Sequence, residues 1–293
     1  MLYKLLFAVF YAISLLPFRV LYIMSDGMYL LLYKLIGYRI AVTRANLQQA
    51  FPEKTEAERL NIEQAFYKNL CDSIVETIKL CSISMEDLCA RIPCNSEVLQ
   101  AMESENRNGM ILFSHQFNWE WGTVVGNIYS PRRFTGMYMP LTNSNFEKLF
   151  RYLRGRAGTH LLRVQDVQKE LGTLQQGKLL WGFIADQNPS DPRRVAWVDF
   201  LGKKTAFFKG PDMVARRYNN LVYWGEIIKV RRGHYRIQIT PVYENAGQLK
   251  DGELTEAYVR FLENNIRQYP ANWLWSHRRW KHVYPGTEKN NAS

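Results

Sequence analysis

The stretch Phe-Ser-His-Gln-Phe-Asn-Trp-Glu-Trp-Gly, residues 113–122, places a histidine and a carboxylate five positions apart, His115 and Glu120. A neutral imidazole can take a proton from a hydroxyl near physiological pH. A carboxylate on its other ring nitrogen would fix the tautomer and stabilise the imidazolium, as in a catalytic triad. On one continuous helix five positions turn through about 500°, so the two side chains would not share a face. They meet only if His115 lies on the loop before a helix and Glu120 in its first turn. The spacing alone is weak, because a surface histidine and an unrelated helix glutamate would look the same. A zinc site would need a third ligand, and no His-x3-His or paired Cys–His arrangement offers one. There is no glycine-rich phosphate loop and no Gly-x-Ser-x-Gly elbow either. Direct transfer to a hydroxyl, with no covalent nucleophile, is the chemistry these residues leave open.

The surrounding pattern predicts the junction that this chemistry needs. From Gly109 onward short apolar runs alternate with amphipathic ones. Strands are expected at 110–114, 134–139, around His160 and at 179–185, with helices from about Asn118 to Tyr129 and from a Ser144/Glu147 capping box through Leu153. A helix is expected near Gln-Asp-Val-Gln-Lys-Glu-Leu-Gly-Thr-Leu (165–174) and another at about Gly210–Tyr218. Two alternating runs joined at Arg231-Arg232-Gly233 form a hairpin, and a last helix follows until Pro270. Upstream, Thr55 and Glu58 have capping-box spacing ahead of Ile62, Phe66, Leu70, Ile74 and Ile78, an amphipathic helix. The expected fold class is α/β, a mostly parallel sheet flanked by helices with an antiparallel hairpin. In such sheets reactive groups collect at the carboxyl ends of strands, which is where His115 falls.

The 293 residues carry 38 Lys plus Arg against 27 Asp plus Glu, a net charge of +11 that favours an anionic partner: nucleic acid, an acidic protein or an anionic membrane surface. With 47% hydrophobic residues the chain is no disordered tail. Cys71, Cys81, Cys89 and Cys94 lack zinc spacing and read as reduced thiols of a cytosol-facing protein. Leu5–Phe18 is uncharged, Arg19 interrupts it, and apolar sequence resumes beyond Gly27. The run reaches spanning length, about 20 residues, only if Arg19 snorkels. Buried core helices and a signal peptide are the competing explanations, the latter without a convincing cleavage site. A membrane anchor over residues 1–40, spanning or lying in one leaflet, ahead of a catalytic domain at 41–293 is the expected organisation. The basic residues that follow (Arg39, Arg44, Lys54, Arg59) would keep the main domain in the cytosol.

Several motifs in order resemble the late acyltransferases of bacterial lipid A biosynthesis, across nearly the whole chain. Arg-Ala-Asn-Leu-Gln-Gln-Ala-Phe-Pro-Glu (44–53) looks like the family's Asn-Leu…Phe-Pro-Glu signature, and His115 to Glu120 matches its His-x4-Asp/Glu. Tyr-Met-Pro-Leu-Thr-Asn (138–143) leads to Arg154 and Arg156 at the family's basic positions, and Asp186 stands at its Asp after a strand. Phe200 to Gly202 carries Phe-x-Gly, and Trp275-Ser-His277-Arg278-Arg279-Trp280-Lys281 matches the closing signature. The resemblance implies a cytosolic-face inner-membrane enzyme that moves a fatty acyl chain from an acyl carrier protein thioester to a hydroxyl of an anionic lipid A precursor. No cofactor is implied beyond that donor, and no nucleic acid. His115 would be the general base and Glu120 its orienting carboxylate. Arg154, Arg156, Asp186, Arg278 and Arg279 are candidate substrate contacts, since arginine binds phosphate through a planar fork. Glycerolipid acyltransferases share His-x4-Asp, but their downstream Pro-Glu-Gly-Thr-Arg block is missing. A same-family enzyme acting on another glycolipid or aminolipid is the alternative. A non-catalytic lipid- or nucleic-acid-binding protein ranks below it, lacking any RNA-recognition signature.

Overall fold

The computed structural model describes residues 2–167, 169, 178–189, 191 and 195–286. Among the described residues are eight strands, β1 (Gly109–Phe113), β2 (Arg133–Tyr138), β3 (His160–Arg163), β4 (Leu179–Ile184), β5 (Val195–Phe200), β6 (Lys203–Phe208), β7 (Leu221–Arg231) and β8 (His234–Tyr243). Six of them form one sheet in the order β3-β2-β4-β1-β7-β8. All pairings in it are parallel except β7 with β8. This is the mixed α/β sheet with an antiparallel hairpin that the alternation predicts. β1 and β4 are buried along nearly their whole length, as parallel strands covered on both faces must be. On the hairpin's outer strand, Tyr235, Ile237 and Ile239 turn inward and alternate with more exposed residues.

β5 and β6 pair separately as a two-stranded antiparallel ribbon. Leu201 and Gly202 both have positive φ, 49° and 76°, the geometry of a two-residue hairpin turn that matches strand twist.

Helices α1 (Leu2–Ser14), α2 (Phe18–Tyr29), α3 (Ile40–Ala50), α4 (Glu56–Lys79) and α5 (Met85–Arg91) precede the sheet. Within and after it come α6 (Trp119–Tyr129), α7 (Ser144–Arg154), α8 (Gly210–Arg217) and α9 (Glu253–Gln268). The α4 capping box forms as expected: the Thr55 hydroxyl accepts from the Glu58 N–H at 3.3 Å, and Glu58 accepts from the Thr55 N–H at 2.7 Å. For α7 the cap moves one residue upstream. Asn143 Oδ1 accepts from the Asn145 and Phe146 N–H groups, while Glu147 accepts from Tyr138 Oη and the Leu141 N–H. Of the helix expected at 165–174, a short turn over Val164–Asp166 is seen, and residues 168 and 170–174 lie outside the described residues.

α1 and α2, the latter continued by a π-helical turn at Leu30–Leu35, meet at a bend of 113°. No single helix among the described residues is long and apolar enough to cross a membrane; only the bent pair reaches that length together. The pair is fastened to the body. Lys79 Nζ donates to the Ser14 and Leu16 carbonyls at 2.7 and 3.0 Å, and Phe7 and Phe10 of α1 meet Tyr152 and Phe146 of α7. α4 buries polar residues as well as its apolar stripe: Glu63, Asp72 and Glu76 are all nearly inaccessible. Glu76 accepts from Tyr22 Oη at 2.9 Å, Asn118 Nδ2 at 2.9 Å and Tyr235 Oη at 2.7 Å, and burial pushes its carboxyl up to about 7.

Candidate active site

β1 and β4 lie side by side in parallel, with Phe113 opposite Ile184. Two residues beyond that pair each chain carries a polar group, so His115 and Asp186 emerge at the same height on adjacent strand ends. His115 Nδ1 lies 2.5 Å from Asp186 Oδ1, and the His115 backbone N–H donates to Oδ2 at 2.9 Å. The Trp273 indole N–H also donates to Oδ2, at 2.6 Å. Burial alone would raise the Asp186 carboxyl, but the His115 charge and these hydrogen bonds outweigh it and hold it below its ordinary value. An ionised carboxylate only accepts, so the proton of this contact sits on Nδ1, and in the neutral form of the ring the lone pair falls on Nε2. Nε2 has no partner among the described residues, and the His115 side chain keeps 18% of its surface accessible. Such an arrangement can accept a proton through Nε2.

The carboxylate behind the histidine is therefore Asp186, where the motif spacing points to Glu120. Glu120 does lie in the first turn of α6, as the junction requires, but its carboxylate is claimed elsewhere. Arg154, the last residue of α7, grips it through both fork positions, Nε to Oε2 at 2.7 Å and Nη2 to Oε1 at 2.6 Å. Trp119 Nε1 donates to Oε1 at 3.2 Å, and the same indole meets the His115 ring edge-on at 5.3 Å. Trp119 thus stands between the His115 ring and the Glu120–Arg154 pair. Trp121 is fully buried, its indole N–H donating to the Glu76 carbonyl at 2.9 Å, so it serves the core.

The other expected substrate contacts divide by burial. Arg279 is inaccessible, donating to Asn188 Oδ1 at 3.0 Å and the Ala206 carbonyl at 2.8 Å, with its guanidinium 4.1 Å from the Phe207 ring centroid. Burial pulls it down to about 10. It ties the closing signature to β6 and cannot reach a headgroup from there. Arg156 donates to the Leu80 carbonyl. Arg278 is exposed, and among the described residues only its carbonyl is engaged, by Asn188 Nδ2. His277 closes the same turn: Nε2 accepts from the Asn188 N–H at 3.1 Å, and burial lowers the ring to about 4, so it stays neutral.

The spacing of single residues misses the groups that hold the loop. Asn118 caps α6 through Oδ1 while its amide reaches Glu76, and Phe117 N–H donates to the Asn272 carbonyl at 3.2 Å. The signal for Asp186 was present, a polar residue two places after an apolar strand, but its use depended on knowing that β4 neighbours β1. Among the described residues no cluster of three His, Cys, Asp or Glu gathers at metal-binding distance.

A histidine backed by an aspartate stands at the carboxyl edge of a parallel sheet with an arginine-clamped glutamate beside it, an arrangement within an α/β fold that can accept a proton. The chain belongs to the bacterial lipid A biosynthesis acyltransferase family, which matches residues 1–282. It is similar to the lipid A biosynthesis lauroyltransferase of Escherichia coli (strain K12), 24% identical over 274 residues that cover 91% of this chain and 87% of that one. Similarity to the lipid A biosynthesis palmitoleoyltransferase of the same organism is 24% over 271 residues, 91% and 86% of the two chains. A lipid A biosynthesis acyltransferase of Shigella flexneri matches to the same extent. The protein is accordingly an acyltransferase of that family.

Proposed function

We propose that the enzyme transfers a fatty acyl chain from an acyl carrier protein thioester to a hydroxyl of a lipid A precursor at the cytosolic face of the bacterial inner membrane. The observation that carries this reading is the His115 Nδ1–Asp186 contact with Nε2 left open. The acceptor hydroxyl gives its proton to His115 Nε2 as its oxygen attacks the thioester carbonyl. The tetrahedral oxyanion then collapses, the C–S bond breaks, and the imidazolium returns the proton to the departing thiolate. Asp186 holds the ring and balances its transient charge. One-step transfer fits three of the four thiols, since burial pushes Cys71 and Cys81 up to about 11 and Cys94 to about 12, away from the reactive thiolate. A net charge of +11 suits both an acidic carrier protein and a phosphorylated lipid, and exposed Arg278 is the best-placed candidate among the expected arginines for anion contact. The Glu120–Arg154 pair braces the wall beside the base.

Membrane attachment falls to the bent pair. Its outer surface exposes Leu2, Leu5, Val9, Leu15, Val20, Ile23, Leu30, Leu31 and Leu35, rimmed by exposed Lys4, Arg19 and Lys34. With its other side fastened to α4 and α7, the pair lies along one leaflet with its cationic rim at the headgroups.

Acyl transfer would be measured by mass spectrometry of lipids from membranes carrying wild type, His115→Ala, Asp186→Ala or Glu120→Ala, with acyl-carrier-protein donors and a tetra-acylated precursor. The first two variants should lose at least about a hundredfold in rate, the contribution of a positioned base. Retention of transfer by His115→Ala would refute the mechanism. Inactivity of folded wild type would point to another glycolipid or aminolipid as acceptor.

A further inference from the structure

We infer that Trp273 is a positioning residue for the His115–Asp186 pair, registering the two loops that carry them through one indole N–H and one stretch of backbone. The inference rests on the reading of His115 as the base. Asp186 receives two hydrogen bonds from His115 itself, ring and backbone. Those two donors belong to one residue, so they leave the His115 loop free to move relative to any third part of the molecule. The third donor, Trp273 Nε1, comes from a segment that follows α9 and is 2% exposed.

That segment is stitched to both sides of the site. Gln116 and Trp273 form an antiparallel bridge next to His115, and the Phe117 N–H donates to the Asn272 carbonyl. Four residues after Trp273, His277 Nε2 accepts from the Asn188 N–H, two residues past Asp186. The indole itself cannot swing: its ring centroid lies 4.8 Å from that of Trp275 and 5.9 Å from that of Phe200, edge-on in both cases.

The simpler explanation is a core tryptophan whose buried N–H took the nearest acceptor. Trp181 weighs against it, because its Nε1 is equally buried and has no partner among the described residues. An indole N–H in this interior is tolerated unpaired. The one at 273 is aimed at the charged oxygen behind the base, where a hydrogen bond is strongest.

The clean change is Trp273→Phe, which keeps an aromatic ring and removes the donor. With Asp186 relieved of one donor, its charge bears more fully on the imidazolium. The acid limb of the kcat–pH profile should then move to higher pH. kcat should fall about tenfold, the effect of losing one hydrogen bond to a charged group, with KM for the lipid acceptor unchanged within about twofold. Trp275→Phe is the matched control, since its indole N–H donates to the Pro270 carbonyl in the same turn. It should lower the melting temperature and leave the acid limb in place. Replacement of Trp273 by benzothienylalanine keeps the bicyclic shape without the N–H, and it substitutes for the phenylalanine variant if that one fails to fold. Equal kcat loss and an unmoved acid limb in the 273 and 275 variants would overturn the inference. Equal activity of wild type and His115→Ala would instead overturn the base assignment beneath it.

Discussion

Asp186 accepts three hydrogen bonds and is itself almost inaccessible to water, and the proposed mechanism requires it to remain a pure acceptor. Asp186→Asn leaves the shape intact but offers an N–H where an acceptor is needed, which favours the wrong imidazole tautomer. kcat should drop by about 10³–10⁴ with the fold unchanged by circular dichroism. The Glu120–Arg154 pair is a different sort of contact, mostly buried and bidentate. Arg154→Ala strands a carboxylate and should cost about 3 kcal/mol in denaturant unfolding, while the Glu120→Ala/Arg154→Ala double variant should cost clearly less than the sum of the singles. His277 gives a pH signature. Its ring is lowered from 6.5 to about 4 when folded, so between those values the unfolded chain binds a proton that the folded chain refuses. Stability is therefore full above pH 6.5 and declines as pH falls towards 4. The slope is at most about 1.4 kcal/mol per pH unit, reduced because the ring keeps some contact with water. Melting curves of His277→Gln should be flatter over that window. At this scale the loop position of His115 is readable from the apolar run before it. Its carboxylate partner is not, because a partner 71 residues away is set by strand order and not by spacing.

Among the elements, those carried by strong local patterns emerged where the chain predicts them. β1 and β4 are runs too apolar for anything but the middle of a sheet, and Arg232-Gly233 turns the hairpin. Thr55→Ala should cost about 1 kcal/mol in thermal or chemical unfolding, because it removes a cap whose partners are local and complete. Gly182→Ala should cost more, about 1–3 kcal/mol, since a methyl group there would run into the Phe134 ring across the sheet. The β5–β6 ribbon is harder to read: Lys203, Lys204 and Asp199 dilute its alternation, and its turn puts a leucine at positive φ. On α4, periodicity identifies Phe66 but says nothing of Asp72 and Glu76. Their burial depends on Arg232, Lys229, Tyr22 and Tyr235 arriving from distant elements to satisfy them.

For the molecule as a whole, charge and the bent helix pair make two separable claims. The paired change Leu5→Glu/Ile23→Glu should abolish flotation with anionic vesicles while leaving the melting temperature within a few degrees, because both side chains are exposed. Raising salt from about 50 to 500 mM should raise the apparent KM for the carrier-bound donor severalfold with less effect on kcat. The pairing of Phe113 with Ile184 reaches furthest. Because His115 and Asp186 are each counted two residues out from that pair, the site inherits its accuracy from strand length. A single residue gained or lost inside β1 or β4 would move one partner by about 3.3 Å and turn it to the opposite face. The exposed turn around Ser104 bears no such count. Descendants of this chain are therefore free to lengthen there, whereas an odd-numbered insertion or deletion in either strand would part His115 from Asp186 at once.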